Sequence, residues 1–123
     1  MKNTRISRVI AAGFMLSAIL FFSSCEKVQI DAPKVDPNTV WTLSGDIQPI
    51  FTANCISCHG GTRTPDLRSG KSYSSLTTNG LVSSPASSSV LYTKMTSSDH
   101  TSRSTDAEKL KVLYWIQQGA KNN

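Results

Sequence analysis

Cys55-Ile56-Ser57-Cys58-His59 is the stretch on which the reading of this chain turns. It is a Cys-x-x-Cys-His run, the spacing at which a polypeptide attaches haem covalently. Each residue type has a chemical role in that reading. The Cys55 and Cys58 thiols form thioethers with the two vinyl groups of one porphyrin. The His59 imidazole, next in the chain, binds the iron from the proximal side. Two residues between the cysteines let both sulfurs reach one edge of the macrocycle while the histidine stays beneath its centre.

Three other chemistries use part of this pattern. A redox dithiol places Cys-x-x-Cys at a helix N-terminus within a β-α-β unit; no such pattern surrounds these residues, and His59 has no place in that chemistry. A zinc site needs four ligands, and beyond the run the chain offers Cys25 and His100. A disulfide between Cys55 and Cys58 would close a very short loop and stabilise little. The haem reading requires a chain exported to an oxidising, haem-loading compartment.

The N-terminus reads as an export signal. Lys2, Arg5 and Arg8 form a basic region, and Val9 to Phe22 form an apolar run of the length of a signal-peptide core, short for a membrane span. Ser23 and Ser24 are small and Cys25 follows, a loose form of a bacterial lipobox. Residues 1–24 are therefore expected to be a lipoprotein-type signal peptide and Cys25 to be lipidated. Several acyl chains would give stable anchoring. The alternative is ordinary cleavage near Ser24, which leaves Cys25 as a free or cross-linked thiol. Three of the thirteen basic residues and none of the eight acidic ones fall within 1–24. The net charge of +5 thus drops to +2 on cleavage, with both signs interspersed, which argues against nucleic acid as a partner.

Residues 25–40 are polar, contain Pro33 and Pro37, and read as a tether. Residues 41–123 read as one small domain. The first helix is expected to start at Asp46 as N-cap, with Pro49 in its first turn and Ile47, Ile50 and Phe51 on one face. It ends at the haem motif, where Gly60 and Gly61 let the backbone turn. Thr105-Asp-Ala-Glu108 is a capping box opening the last helix. Its apolar side is expected to be Leu110, Leu113, Tyr114 and Gln117, broadened by Val112 and Ile116, with a stop at Gly119. Residues 69–104 hold thirteen serines, a content that suits disorder. Apolar residues nevertheless recur at helical spacing, and short helices are expected at 72–76 and 88–95, with Tyr73 and Leu76 on the first and Val90, Leu91 and Met95 on the second. No alternating strand pattern is present. The expectation is an all-α domain of about four short helices around one covalent haem c. Because the apolar inventory is small for such a domain, the haem-free chain is expected to be largely unfolded or molten.

The order of short pieces is similar to the class I cytochrome c family, and within it to small single-haem lipoprotein domains of Bacteroidetes-type bacteria. The matching pieces are Ile47-Gln-Pro-Ile-Phe51, Cys55 to Gly61, Pro65-Asp-Leu67, Ser72-Tyr-Ser-Ser-Leu76, Ser89-Val-Leu-Tyr92 and Trp115-Ile-Gln-Gln-Gly-Ala120. The resemblance covers roughly residues 41–121. It implies a cytochrome c-like fold whose first and last helices cross near the haem edge, with Phe51 against Tyr114 or Leu113. The family usually carries a distal Met in the loop before the last helix. Here that loop runs from Thr96 to Thr105 and has none. Two candidates for the sixth ligand remain: His100, fifteen residues before Trp115, and Met95, on a helix whose apolar side would face the core. An iron with an open sixth position is the third possibility.

The function this implies is one-electron transfer by a monohaem cytochrome lipoprotein, exported and lipid-anchored to the cell envelope. Its partners would be redox proteins of the envelope, met as a monomeric domain. The alternative is a haem-based ligand-binding or sensing module with an open distal site. A small peroxidase would need a distal acid–base group beside an open iron, and the chain has little material for a substrate pocket, so no enzymatic activity is expected.

Overall fold

A computed structural model describes residues 34–123. The expected signal peptide, the lipidation site Cys25 and most of the expected tether lie outside the described residues. Those described are helical and contain no strand, so the fold class is all-α. No described helix is long and apolar enough to cross a membrane.

Trp41 is the first buried residue. The chain then enters a π turn, Leu43–Ile47, which passes into α1, Gln48–Asn54. The cap lies four residues before the one the sequence suggested. Thr42, not Asp46, is the N-cap: its Oγ1 accepts from the Gly45 N–H at 3.2 Å. Asp46 reaches back instead, and its Oδ2 accepts from Thr42 N at 2.9 Å and Thr42 Oγ1 at 2.8 Å. These bonds hold the Asp46 carboxyl below its ordinary pKa. The two side chains thus satisfy each other and the helix end, which starts the helical segment earlier by one turn. Pro49 sits in the first turn of α1, where its missing N–H costs nothing. Leu43, Ile47, Ile50 and Phe51 form the buried face.

A bend at Cys55 (φ −120°, ψ −35°) separates α1 from α2, Ile56–His59. The backbone ladder continues through it, with Cys55 N donating to Phe51 O and His59 N to Cys55 O, each at 2.9 Å. Beyond lie α3, Ser72–Thr78, a 3₁₀ turn at Ala86–Ser88, α4, Val90–Thr96, a second 3₁₀ turn at Thr101–Arg103, and α5, Asp106–Gln117. The serine-rich segment is therefore ordered by two short helices close to the expected positions. Its two buried hydroxyls are both satisfied: Ser72 Oγ donates to Gln48 Oε1 at 2.6 Å and Ser89 Oγ to Leu81 O at 2.8 Å. Leu76, Leu91 and Met95 face inward, whereas Val90 is exposed.

The capping box that opens α5 is present in full. Glu108 N donates to Thr105 Oγ1 at 3.2 Å, and Thr105 N to Glu108 Oε2 at 2.7 Å. The buried side of α5, however, is Lys109, Val112, Trp115 and Ile116; Leu110, Leu113 and Tyr114 are half-buried and Gln117 is exposed. Successive residues turn by 100°, so Val112 and Ile116, expected only to broaden the apolar side, form its buried centre with Trp115, while Leu110, Leu113 and Tyr114 fall on the other, half-buried side. Trp115 decides the outcome: the largest side chain of the helix is 1 % exposed, and its Nε1 donates to Lys121 O at 3.0 Å.

The first and last helices run side by side in opposite directions. Trp41 N donates to Gln118 Oε1 at 3.0 Å and Leu43 N to Asn123 Oδ1 at 3.1 Å, while at the other end Asn54 Nδ2 donates to Glu108 Oε1 at 3.2 Å. Phe51, Ile47, Leu76, Val112 and Trp115 are the fully buried side chains of the core between them and α3.

Candidate functional site

Cys55, Cys58 and His59 occupy positions i, i+3 and i+4 of one helical turn, so the spacing that looked like a motif in sequence becomes a single face in space. Cys55 is half-buried and Cys58 exposed, and both are free thiols. Burial, reinforced by the nearby Glu108 carboxylate and by Cys58, pushes the Cys55 thiol up in pKa. That is the opposite of what an attacking redox dithiol requires.

His59 is held from below by the returning loop. Its backbone carbonyl accepts from Leu67 N at 2.8 Å, and its ring Nδ1 lies 3.1 Å from Pro65 O. A carbonyl can only accept, so Nδ1 carries the proton and Nε2 is left with a free lone pair. This is the tautomer a metal-binding imidazole needs, with a partner that fixes the ring's direction. The loop is itself fixed. Gln48 Nε2 donates to Leu67 O at 2.9 Å, and Asp66 N donates to Ser75 Oγ at 2.9 Å. Arg68 grips Asp66 through Nε and Nη2 at 3.0 and 2.7 Å. Gly61, at φ +102°, lies directly under that guanidinium, where a Cβ would come within 2.5 Å of Arg68 Nη2.

The distal side brings a second imidazole. The rings of His59 and His100 have centroids 6.4 Å apart and planes tilted by 41°. His100 comes from the turn between α4 and α5. Lys94 Nζ contacts Asp99 Oδ2 at 2.6 Å on the α4 side. On the α5 side, the buried Lys109 donates to Thr101 Oγ1 at 3.1 Å and to Asp106 Oδ1 at 3.0 Å. Met95, the other candidate, is 8 % exposed and part of the hydrophobic core.

The centroid spacing tests what the donors fit. With an imidazole–metal bond of about 2 Å, two rings on opposite sides of one ion have centroids roughly 6.4 Å apart, and two in a tetrahedral site about 5 Å apart. The observed 6.4 Å matches the spacing that an opposed pair would have. Rings that both contain the metal–nitrogen axis are free to differ in rotation about it, so the 41° tilt is compatible with this arrangement. Among the described residues, no three His, Cys, Asp or Glu side chains converge as a closed metal site would require. Two imidazoles at this spacing, with two thiols on the turn that carries His59, are compatible with a haem c held by Cys55, Cys58 and His59, and the spacing is longer than a tetrahedral zinc site would give.

Sequence reading had singled out Cys55, Cys58, His59, His100 and Met95. It had not found Gln48, Asp99, Lys109 or the Pro65 carbonyl, all of which orient site residues. The one signal was at Gln48, a polar residue between Ile47 and the run Pro49-Ile50-Phe51. Compared with protein-family models, with curated proteins and with solved structures, the chain gives no match.

Proposed function

We propose that the chain is a monohaem c-type cytochrome that carries single electrons between redox proteins of the cell envelope, with its all-α domain built on the cytochrome c plan. One observation carries the reading: Cys55, Cys58 and His59 share one face of a helical turn, and the His59 ring is held by Pro65 O with Nε2 left free. When bound, haem supplies an iron that cycles between ferrous and ferric states. The chain's own residues hold and orient it. Cys55 and Cys58 are the sulfurs available for thioether bonds, and His59 Nε2 is the nitrogen available to the iron. The Gln48–Leu67 and Ser75–Asp66 hydrogen bonds keep the Pro65 carbonyl where it fixes that nitrogen's direction.

Partners are met through small, transient contacts, as suits electron carriers. Acyl chains on Cys25 would keep the domain at the membrane and raise its effective concentration there. The test is the visible absorption spectrum, oxidised and reduced, of a Cys25→Ser protein produced with haem-attachment machinery. The expected result is a c-type spectrum that survives denaturation and acid–organic extraction. A chain recovered without covalent haem would overturn the proposal.

A further inference from the structure

We infer that His100 is the second axial ligand, trans to His59, and that Asp99 is the residue that positions it; the inference rests on the haem reading above. Two sulfur and nitrogen donors compete for the position, and the structure separates them by location. Met95 is spent in the core, at 8 % exposure. The His100 side chain is 35 % exposed, and its ring lies 6.4 Å, centroid to centroid, from that of His59. The 6.4 Å centroid spacing leaves room for one metal ion between the rings and nothing larger along that axis.

The nitrogens are sorted as well as the rings. His100 Nδ1 lies 3.1 Å from Asp99 Oδ2. That contact is short but poorly directed, so the buried Nδ1 has no aligned hydrogen bond. A modest rotation of the ring would line its N–H up with the carboxylate, and Nε2 is then the lone pair left for the iron. Asp99 is itself fixed, by Lys94 Nζ at 2.6 Å and by the Ser97 hydroxyl. The turn is closed by His100 N donating to Ser97 O at 2.9 Å and Thr101 N to the same oxygen at 2.8 Å. Each element bordering His100 thus contributes a tie: Lys94 from α4, Ser97 from the turn, and Lys109 from α5 through Thr101.

Two consequences follow for the chemistry. Two imidazoles would hold the iron, from His59 and His100, and the site would then transfer electrons without binding an exogenous ligand. A second imidazole also favours the ferric state more than a Met thioether does, which places the potential on the low side for the family. Once the ring has rotated, a hydrogen bond from Nδ1 to Asp99 would make His100 a stronger donor and push in the same direction.

The experiment uses the haem-loaded full-length protein and three variants, His100→Ala, Met95→Leu and Asp99→Ala. The native ferric protein and Met95→Leu should both be low-spin, and their ferrous forms should not take up carbon monoxide. His100→Ala should become high-spin and bind carbon monoxide, and added imidazole should restore the low-spin spectrum. Asp99→Ala should stay low-spin with its midpoint potential shifted upward. Native protein that loads haem but binds carbon monoxide as readily as His100→Ala overturns the inference alone, as does loss of the low-spin spectrum in Met95→Leu with His100→Ala unaffected. An unshifted potential in Asp99→Ala overturns the role of Asp99. A native chain that attaches no haem overturns both this inference and the function it rests on.

Discussion

The buried amide of Gln48 is doubly engaged with α3 and the loop before it: Ser72 Oγ donates to its Oε1 at 2.6 Å while its Nε2 donates to Leu67 O at 2.9 Å. One polar side chain on the first helix therefore ties down the segment that carries Pro65 and, through it, the ring of His59. Gln48→Leu would preserve approximate volume and leave two buried polar groups without partners, a cost of about 1–3 kcal/mol each. The expected result is a large loss of stability in urea unfolding. A stability equal to the native protein's would show that water replaces both bonds.

The core is small and dominated by two aromatic side chains. Phe51→Ala and Trp115→Ala should each cost about 3–5 kcal/mol, because both are essentially inaccessible and leave cavities. Leu113→Ala, on the half-buried side of α5, should cost clearly less. Urea midpoints of the three variants test the assignment of the inner face of α5.

So few fully buried side chains give a domain of this length a thin margin of stability. A Cys55→Ala/Cys58→Ala chain, which cannot form thioethers, should melt without a sharp heat-absorption peak. A cooperative calorimetric transition in that variant would show that the polypeptide folds firmly by itself.

Acid should weaken the fold through Asp66. Hydrogen bonding from Arg68 lowers its carboxyl from an ordinary value near 3.8 to about 2. Between those values the unfolded chain binds the proton and the folded chain does not. The contribution is therefore complete above pH 3.8 and is lost as pH falls through about 2. The lowered carboxyls of Asp46, Asp99 and Glu108 act in the same sense. Asp66→Asn should make the fall in urea midpoint over this window shallower than in the native protein. An identical slope in the two would count against the Arg68 pair as the cause.

Removing the α5 cap tests a local element. Thr105→Ala loses the two bonds that Oγ1 makes with Glu108, accepting from its N–H and donating to its Oε2, and should cost ~1 kcal/mol. Thr105→Ser should recover most of it. Thermal midpoints of the two variants measure the difference.

What was legible in the sequence was what depends on neighbours in the chain. The Cys-x-x-Cys-His turn, the Thr105–Glu108 box and the two short helices of the serine-rich segment are all set by contacts within a few residues. The first cap was misplaced because Thr42 and Asp46 are both good capping residues four apart, and each alone fits the pattern; in the structure they work as a pair. The buried side of α5 was found in part, at Val112 and Ile116, but its centre was misplaced because apolar residues surround that helix, so only the packing of Trp115 breaks the tie. The supports of the site were illegible for a different reason. Gln48 meets Leu67 nineteen residues away, and Lys109 reaches back to Thr101 from another element. No local spacing encodes such contacts.

The opposed course of the first and last helices gives the domain two poles. Trp41, where the chain enters, is bonded to Gln118. Asn54, one turn before His59, is bonded to Glu108 at the start of α5. The twelve residues of α5 span about 18 Å, so the entry point and the histidine pair stand at opposite ends of that length. On the proposed function, a redox partner would dock over the histidines, at the end of α5 away from Trp41 and the expected tether. Electrons would enter and leave at the free pole, and the length of the leash would set how far that pole can reach.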